Sequence, residues 1–176
     1  MTPAAFRVFA LVVPAVVVAL DQLSKWGATR AFGQPMDVCA AQPGISLRMD
    51  VTPVVDLMLK CNTGVSFGML GGDNDLKRWG LTALALAVCA LLVWTLRTTT
   101  DRVSAWGLSL IVGGAVGNAI DRALYGAVTD FIDATDLVPV FTYIFNVADS
   151  AISVGVVLMI WGAFREARAA KAAGPT

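Results

Sequence analysis

Long apolar runs between charged residues constrain this chain more than any other feature of its sequence. Two of these runs, residues 79–96 and 103–120, contain 18 residues each without a charge. Two shorter ones, residues 8–20 and 150–164, contain 13 and 15. A helix needs roughly 20 mostly apolar residues to cross a membrane. The pattern therefore predicts an all-α membrane protein with four transmembrane helices.

The two shorter runs reach spanning length only if their helices include Asp21 and Asp149 near the membrane boundary. An ionisable residue at that depth costs a few kcal/mol and is therefore a candidate functional residue. A carboxylate that simply reaches interfacial water is the alternative. The spans are predicted at about residues 6–26, 77–97, 103–121 and 143–164, with a disordered tail at about 167–176.

Composition supports the membrane class and excludes several kinds of chemistry. The chain has 176 residues, enough for one domain over 1–176, and 57% are hydrophobic against 15% charged. Its net charge of zero gives no reason to expect a nucleic-acid partner. The absence of histidine excludes Ser-His-Asp and Cys-His catalysis and His-based zinc sites. Any general base must therefore be an aspartate, a glutamate or a lysine.

The region between the first two spans, about residues 28–76, shows alternation typical of strands. Ile45, Leu47 and Met49 alternate with polar residues, and a second alternating run begins at Val55. Period two predicts strands with one buried face. A small sheet or hairpin beside the membrane is the interpretation, with a plain loop as the alternative.

Three cysteines lack the spacing of a metal site. Cys89 lies within an apolar run and is interpreted as a small core residue. Cys39 and Cys61 are able to pair in an oxidising compartment, and the sequence leaves open whether they do.

Basic residues indicate the orientation. One side of the predicted bundle holds six basic residues and only two acidic ones, Asp101 and Glu166. A count of lysine and arginine alone gives nearly equal numbers on the two sides and does not decide the orientation. However, Lys25 and Arg122, on the second side, lie beside acids and are expected to pair with them. We expect both termini in the cytoplasm, with residues 28–76 on the other side.

Polar residues converge at one end of the predicted bundle. Helix one ends near Asp21 and Lys25, which lie four residues apart on one face. The second helix begins just after a group of polar and small residues. The third and fourth helices carry polar or small residues at helical spacing, and all of these groups lie at the same end of the bundle as Asp21. These residues are Asn62, Gly64, Gly114, Asn118, Asp121, Arg122, Asn146 and Asp149. Scattered structural residues would have no reason to share one end.

Two of the acids suggest a reaction. Two nearby carboxylates in a low dielectric share one proton, and such a pair hydrolyses peptides without histidine or metal. Asp149 and Asp130 are candidates, while Asp133 and Asp136 are interpreted as solvated. The residues alone do not establish that Asp130 and Asp149 meet.

Taken together, five motifs resemble those of the lipoprotein signal peptidases, or signal peptidase II. They occur in order and cover nearly the whole chain. They lie at residues 21–25, 62–68, 113–122, 128–132 and 145–150. Val65 and Ser66 depart from the family, which commonly has two small residues there.

The resemblance implies an aspartic endopeptidase of the bacterial inner membrane, in contact with lipid, that acts without metal or cofactor. Its substrates would be diacylated prolipoproteins, cut on the N-terminal side of the lipidated cysteine. Asp130 and Asp149 match the catalytic pair by position. Supporting polar positions match Asp21, Lys25, Asn62, Gly64, Asn118, Arg122 and Asn146. The oligomeric state stays open.

Three alternatives are weighed beside this one. A transporter or channel subunit would also use intramembrane acids, but it needs polar residues through the whole depth. A Ser-Lys peptidase would use Lys25 as base with Ser150 or Ser66 as nucleophile. A purely structural membrane protein would leave the convergent polar end unexplained.

Overall fold

The protein, seen in a computed structural model that describes residues 2–64, 74–137 and 144–173, is mostly helical. Four helices are long and apolar enough to cross a membrane: Ala4–Ala31, Asp75–Leu96, Arg102–Tyr125 and Val147–Arg168. The prediction of a mostly helical, four-span membrane protein is therefore confirmed.

The described residues contain six α-helices, one π-helical turn and four strands. The first span combines α1 (Pro3–Arg7), a π-helical turn (Val8–Val12) and α2 (Val13–Ala31). The other spans are α4 (Asn74–Leu96), α5 (Arg102–Tyr125) and α6 (Val147–Ala173), and α3 (Val38–Ala41) is a short helix outside them. The strands are β1 (Ser46–Met49), β2 (Asp56–Asn62), β3 (Val128–Asp133) and β4 (Ile144–Phe145).

Local sequence explains where α5 begins and ends. The Asp101 carboxylate accepts a hydrogen bond from the backbone N–H of Ser104 at 2.8 Å and thereby caps the first turn. Gly126 ends the helix in the left-handed conformation, with φ of 80°, which costs glycine little. The helix runs four residues past its predicted end at 121.

The fourth span differs from its prediction at both ends. It begins at Val147 rather than at residue 143, because Ile144 and Phe145 form β4. Asp149 is therefore in the first turn and not deep within the helix. The predicted disordered tail is wrong for residues 167–173, which continue α6 to Ala173. That segment is rich in alanine, arginine and lysine, all strong helix formers.

The sheet is larger than the predicted hairpin. Its four antiparallel strands have the order β1-β2-β3-β4, so the connection between α5 and α6 supplies two of them. The first two strands confirm the alternation in residues 28–76, of which residues 65–73 lie outside the described part. Strand β3 lies between the third and fourth spans, where no strand is predicted.

Helix α5 is the central helix of the bundle. Buried residues make up 61% of its span, against 17% in α4 and in α6, whose outer faces expose large apolar side chains. Close contacts depend on glycine: a Cβ on Gly113 would lie 2.6 Å from Val17, and one on Gly117 would lie 2.7 Å from Asp21. These two glycines pack α5 against α2 within the chain.

Candidate active site

A sealed group of charges lies where α2 meets α5. The Lys25 Nζ lies 2.8 Å from an Asp21 carboxylate oxygen and 2.9 Å from an oxygen of Asp121. All three side chains are fully buried. We refer to Asp21, Lys25 and Asp121 as the charged triad. The prediction that Lys25 pairs with neighbouring acids is confirmed.

Asp149 is held at the start of α6 by reciprocal capping bonds with Asn146. The Asn146 side-chain oxygen accepts from the Asp149 backbone N–H at 2.9 Å, and the Asp149 carboxylate accepts from the Asn146 N–H at 3.2 Å. This arrangement is a capping box, which satisfies two N–H groups that a helix start leaves free. It fixes the Asp149 carboxylate beside β4.

Asp130 lies in β3, almost completely buried. The side-chain amide of Asn146 donates to one of its carboxylate oxygens at 2.7 Å, and the amide of Asn62 donates to the other at 2.9 Å. Asn62 is the last residue of β2, so its position follows from the pairing of β2 with β3. Asn146 therefore contacts both Asp130 and Asp149, and we call these two residues the aspartate pair.

Asn118 connects the aspartate pair to the charged triad. Its amide nitrogen donates to the Asp149 carboxylate at 2.8 Å, while its oxygen accepts from Lys25 Nζ at 3.2 Å and from the Asn146 amide at 3.2 Å. One face of α5 thus reaches both groups, as the four-residue spacing of Gly114 and Asn118 predicts. A Cβ on Gly114 would collide with the backbone oxygen of Ala148, so glycine permits the close approach of α5 to α6.

The environment of Asp130 favours its neutral form. Burial raises the pKa of the Asp130 carboxyl to about 7, and the charge of nearby Asp149 acts in the same direction. The amides of Asn62 and Asn146 and the charge of Lys25 oppose this effect without cancelling it. Asp130 therefore holds a proton that an exposed aspartate would lose near pH 4.

The other acids of this region have cationic partners. Asp121 belongs to the charged triad, whereas Asp133 and Asp136 lie 3.7 and 3.1 Å from Arg48. The interpretation of Asp133 as solvated is wrong, since it is buried and also accepts hydrogen bonds from Thr135. In the described part of the chain, no ion pair joins Asp130 or Asp149 to a cation.

A groove of about 570 Å³ opens beside the aspartate pair. The polar residues Asn62, Asp149, Ser150 and Ser153 lie along it together with apolar side chains of β4 and of Val154 in α6. Asp149 is half-buried and reaches this groove, and Asn62 connects it to Asp130. A chain lying in the groove would meet carboxylates on a mainly apolar surface.

Gly64 and Arg122, both predicted as supporting residues, lie next to each other. Gly64 has φ of 81°, and a Cβ there would lie 2.7 Å from Leu81, so the position favours glycine. The same Cβ would lie 3.5 Å from the Arg122 guanidinium, which is ordinary contact distance. The Arg122 Nε is buried without a hydrogen-bond partner among the described residues. Its pairing with an acid, expected from the sequence, is not seen there, although the Asp149 and Asp130 charges act on it.

Three contacts of the site were not predicted. The Gln22 amide donates to Asp121 at 2.8 Å, the Thr129 N–H donates to Asp121 at 3.0 Å, and the Ala148 N–H donates to Asp21 at 3.0 Å. Gln22 follows Asp21 within the motif at residues 21–25, so the sequence did contain a signal for its contact. The backbone donors offered none, because a backbone group carries no sequence pattern.

The geometry disfavours the transporter and Ser-Lys alternatives. At the opposite end of the bundle, Phe9, Val13, Leu96, Ala105 and Leu108 form a closed apolar cluster instead of a polar path. Lys25 is sealed in the charged triad, and the Ser150 hydroxyl donates to the Asn146 backbone oxygen. Ser66 lies outside the described residues. The site instead combines two carboxylates, three side-chain amides and a groove.

Comparisons with known proteins agree with this chemistry. The family model described as signal peptidase (SPase) II matches residues 13–165. A lipoprotein signal peptidase of Polynucleobacter necessarius is 40% identical over 160 residues, covering 89% of both chains. One of Methylorubrum extorquens is 45% identical over 151 residues, covering 85% of this chain and 81% of that one.

Two solved structures share the fold. A bacterial membrane enzyme determined by the in meso method at 2.3 Å resolution has a TM-score of 0.68 at 26% identity, covering 90% of this chain and 88% of that chain. Another, at 1.9 Å, has a TM-score of 0.67 at 28% identity, covering 86% and 89%.

Proposed function

Because the chain belongs to the signal peptidase II family of aspartic peptidases, we propose that Asp130 and Asp149 are its catalytic carboxylates. The observation that carries this proposal is their shared partner: Asn146 donates to both carboxylates, and neither is neutralised by an ion pair in the described residues. Two carboxylates held in this way share a proton. The proposed peptidase domain comprises residues 1–176.

In the proposed reaction, Asp130 is the acid and Asp149 is the base. The ionised Asp149 takes a proton from a water molecule, which attacks the scissile carbonyl, while protonated Asp130 donates a hydrogen bond to the carbonyl oxygen. The roles then reverse, and a proton passes to the leaving amine. The raised pKa of Asp130 and the amide that Asn118 donates to Asp149 favour this assignment.

We propose that the substrate is a diacylglyceryl-modified prolipoprotein, cut on the N-terminal side of its lipidated cysteine. The name of the relatives, lipoprotein signal peptidase, supports this substrate class. The groove agrees with it, because Val154 of α6 lines it and both Val154 and Val157, three residues further along the helix, have half or more of their area exposed. Among the described residues that line the groove, Asp149 is the charged one that an apolar signal peptide would meet.

The proposed location is the bacterial inner membrane, with both termini in the cytoplasm and the sheet and active site on the extracytoplasmic side. Cys39 and Cys61 form a disulfide between α3 and β2, and disulfides persist mainly in oxidising compartments. Basic residues Arg97, Arg165 and Arg168 lie at the opposite end, as expected for a cytoplasmic surface. Reporter fusions after Arg97 and at Asp50 should read cytoplasmic and external, respectively.

Cleavage of a synthetic diacylated precursor by purified protein in detergent tests the proposal. Asp130→Asn and Asp149→Asn should each lower kcat on the order of 10⁴-fold or more, with the helical fold retained. Asp136→Asn removes an exposed acid of the same region and serves as the matched control, with near-normal cleavage expected. Near-normal processing by either pair variant would overturn the assignment.

A further inference from the structure

The Cys39–Cys61 disulfide lies beside the pair of strands β2 and β3, of which β3 carries Asp130. It joins α3 to β2, and both cysteines are buried. Cys61 lies opposite Thr129 in the sheet, and Thr129 immediately precedes Asp130. The Cys39 Sγ is also 3.6 Å from the Thr129 hydroxyl. The cross-link therefore contacts both strands within one residue of the active site.

Among the described strands, the end of β2 pairs with β3 alone. Strand β1 pairs with β2 only as far as Lys60, so Cys61 and Asn62 project beyond it and pair with β3 alone. The disulfide connects this projecting end to α3. The buried residues Val38, Cys39, Leu59, Cys61 and Ala127 form the apolar cluster around the bond.

The projecting end of β2 carries a catalytic contact. The Asn62 amide donates to Asp130, and its side-chain oxygen accepts from the Gly64 N–H at 2.8 Å. Asn62 is itself exposed, so packing does not fix its position. Its backbone position depends on β3 and on the residue before it, which is the bonded Cys61.

We propose that the Cys39–Cys61 disulfide is a positioning element of the active site, which fixes the end of β2 so that Asn62 holds Asp130, and that full activity requires this bond. The inference rests on the catalytic role proposed for Asp130. Reduction by a dithiol would add two electrons and two protons, giving two cysteine thiols and the oxidised, cyclic form of the reductant.

The test removes the bond and asks whether the effect depends on Asn62. Cys39→Ala/Cys61→Ala should lower kcat for the diacylated precursor by roughly tenfold, with KM changed less than about twofold, because small displacements at a catalytic group reduce kcat strongly. Cys89→Ala, which removes the free buried cysteine, is the matched control and should stay within about twofold of wild type.

A double-mutant cycle separates positioning from general stabilisation. Asn62→Ala should itself lower kcat, and removing the disulfide in that background should change kcat by less than about twofold, since the contact is already lost. A further tenfold loss there would show that the bond acts by stabilising the fold in general and would overturn the proposal. An unchanged kcat in Cys39→Ala/Cys61→Ala would overturn it directly.

If the double variant does not fold, wild-type protein treated with dithiothreitol in detergent replaces it, with alkylation under denaturing conditions to count free thiols. Of the three cysteines, one should be alkylated before reduction and all three after it. Loss of kcat in step with reduction supports the proposal, and full activity of the reduced protein contradicts it. Oxidised wild-type protein that fails to cleave would instead contradict the proposed function.

Discussion

Two groups of carboxylates lie at the same end of this bundle and differ in what neutralises them. In the charged triad, Asp21 and Asp121 share the ammonium group of Lys25, and all three are sealed from solvent. In the aspartate pair, the hydrogen-bond partners of the Asp130 and Asp149 carboxylates among the described residues are all amide donors. The triad is closed within the protein, whereas the pair opens to a groove.

We propose that this difference separates structural carboxylates from catalytic ones. A buried carboxylate that shares a fixed cation is enclosed by its partners and is not available to a substrate. An amide donor orients a carboxylate without supplying a charge, so the pair retains the freedom to share a proton. The acids nearby fit this division, since Asp133 and Asp136 also contact a cation, Arg48. Asn118 is the one side chain described here that bonds to members of both groups.

The largest effect on stability is expected when the charged triad loses its cation. Lys25→Met keeps the length of the side chain but leaves two buried carboxylates unpaired, which should cost roughly 3–5 kcal/mol of unfolding free energy. Chemical unfolding in detergent measures this loss. Lys171→Met, at an exposed lysine of α6, is the control and should be near neutral. Equal stability of Lys25→Met and wild type would contradict a structural role for the triad.

A smaller but more selective effect is expected at Asn118. Asn118→Ala leaves the triad's own ion pairs intact and removes the amide that orients Asp149, so kcat should fall roughly a hundredfold. Its stability should fall by roughly 1–3 kcal/mol, less than in Lys25→Met. Ser109→Ala, a buried polar residue of the same helix that bonds only to Ala105, is the control. Comparable kcat values for the two variants would mean that Asp149 needs no support from α5.

The spans and the polar end of the bundle can both be predicted from the sequence, because the spans appear as charge-free runs and the polar end as residues at helical spacing. Charge-free runs determine where α4 and α5 lie, and helical spacing correctly placed Asn118 and Asp121 on one face of α5. Strand β4 and the start of α6 could not be predicted, since two residues carry no periodicity and the capping bonds of Asn146 depend on the strand before it.

That Asp130 and Asp149 belong to one site was implied by the family resemblance and not by any residue spacing in the sequence. Asp130 reaches the site through the pairing of β2 with β3, and these strands are separated by two spans in the sequence. Long-range strand pairing is not visible in local alternation. The physical reason to choose Asp130 over Asp133 is that, among the described residues, Asp133 pairs with a cation and Asp130 does not, and this is visible only in the assembled sheet.

A rise in pH should lower the activity that depends on the aspartate pair. Because Asp130 must be protonated to act as the acid and its pKa is about 7, the active fraction falls as pH rises above that value. We expect kcat/KM to decrease about tenfold for each pH unit above about 7, as for any single essential acid. Asp136→Asn should show the same profile. A flat profile between about pH 7 and 9 would contradict the assignment of Asp130 as the acid.

The smallest effect is expected at Ser150, which lies on the groove beside Asp149 but takes no part in either group. Its hydroxyl donates to the Asn146 backbone oxygen within the first turn of α6. Lys25, the base that the Ser-Lys alternative requires, is held by Asp21 and Asp121. Ser150→Ala should therefore change kcat less than about threefold, because the capping box holds Asp149 without that hydroxyl. A loss comparable to that of Asp149→Asn would mean that a serine nucleophile acts in the groove, and the division between sealed and proton-sharing carboxylates would not describe the chemistry of this site.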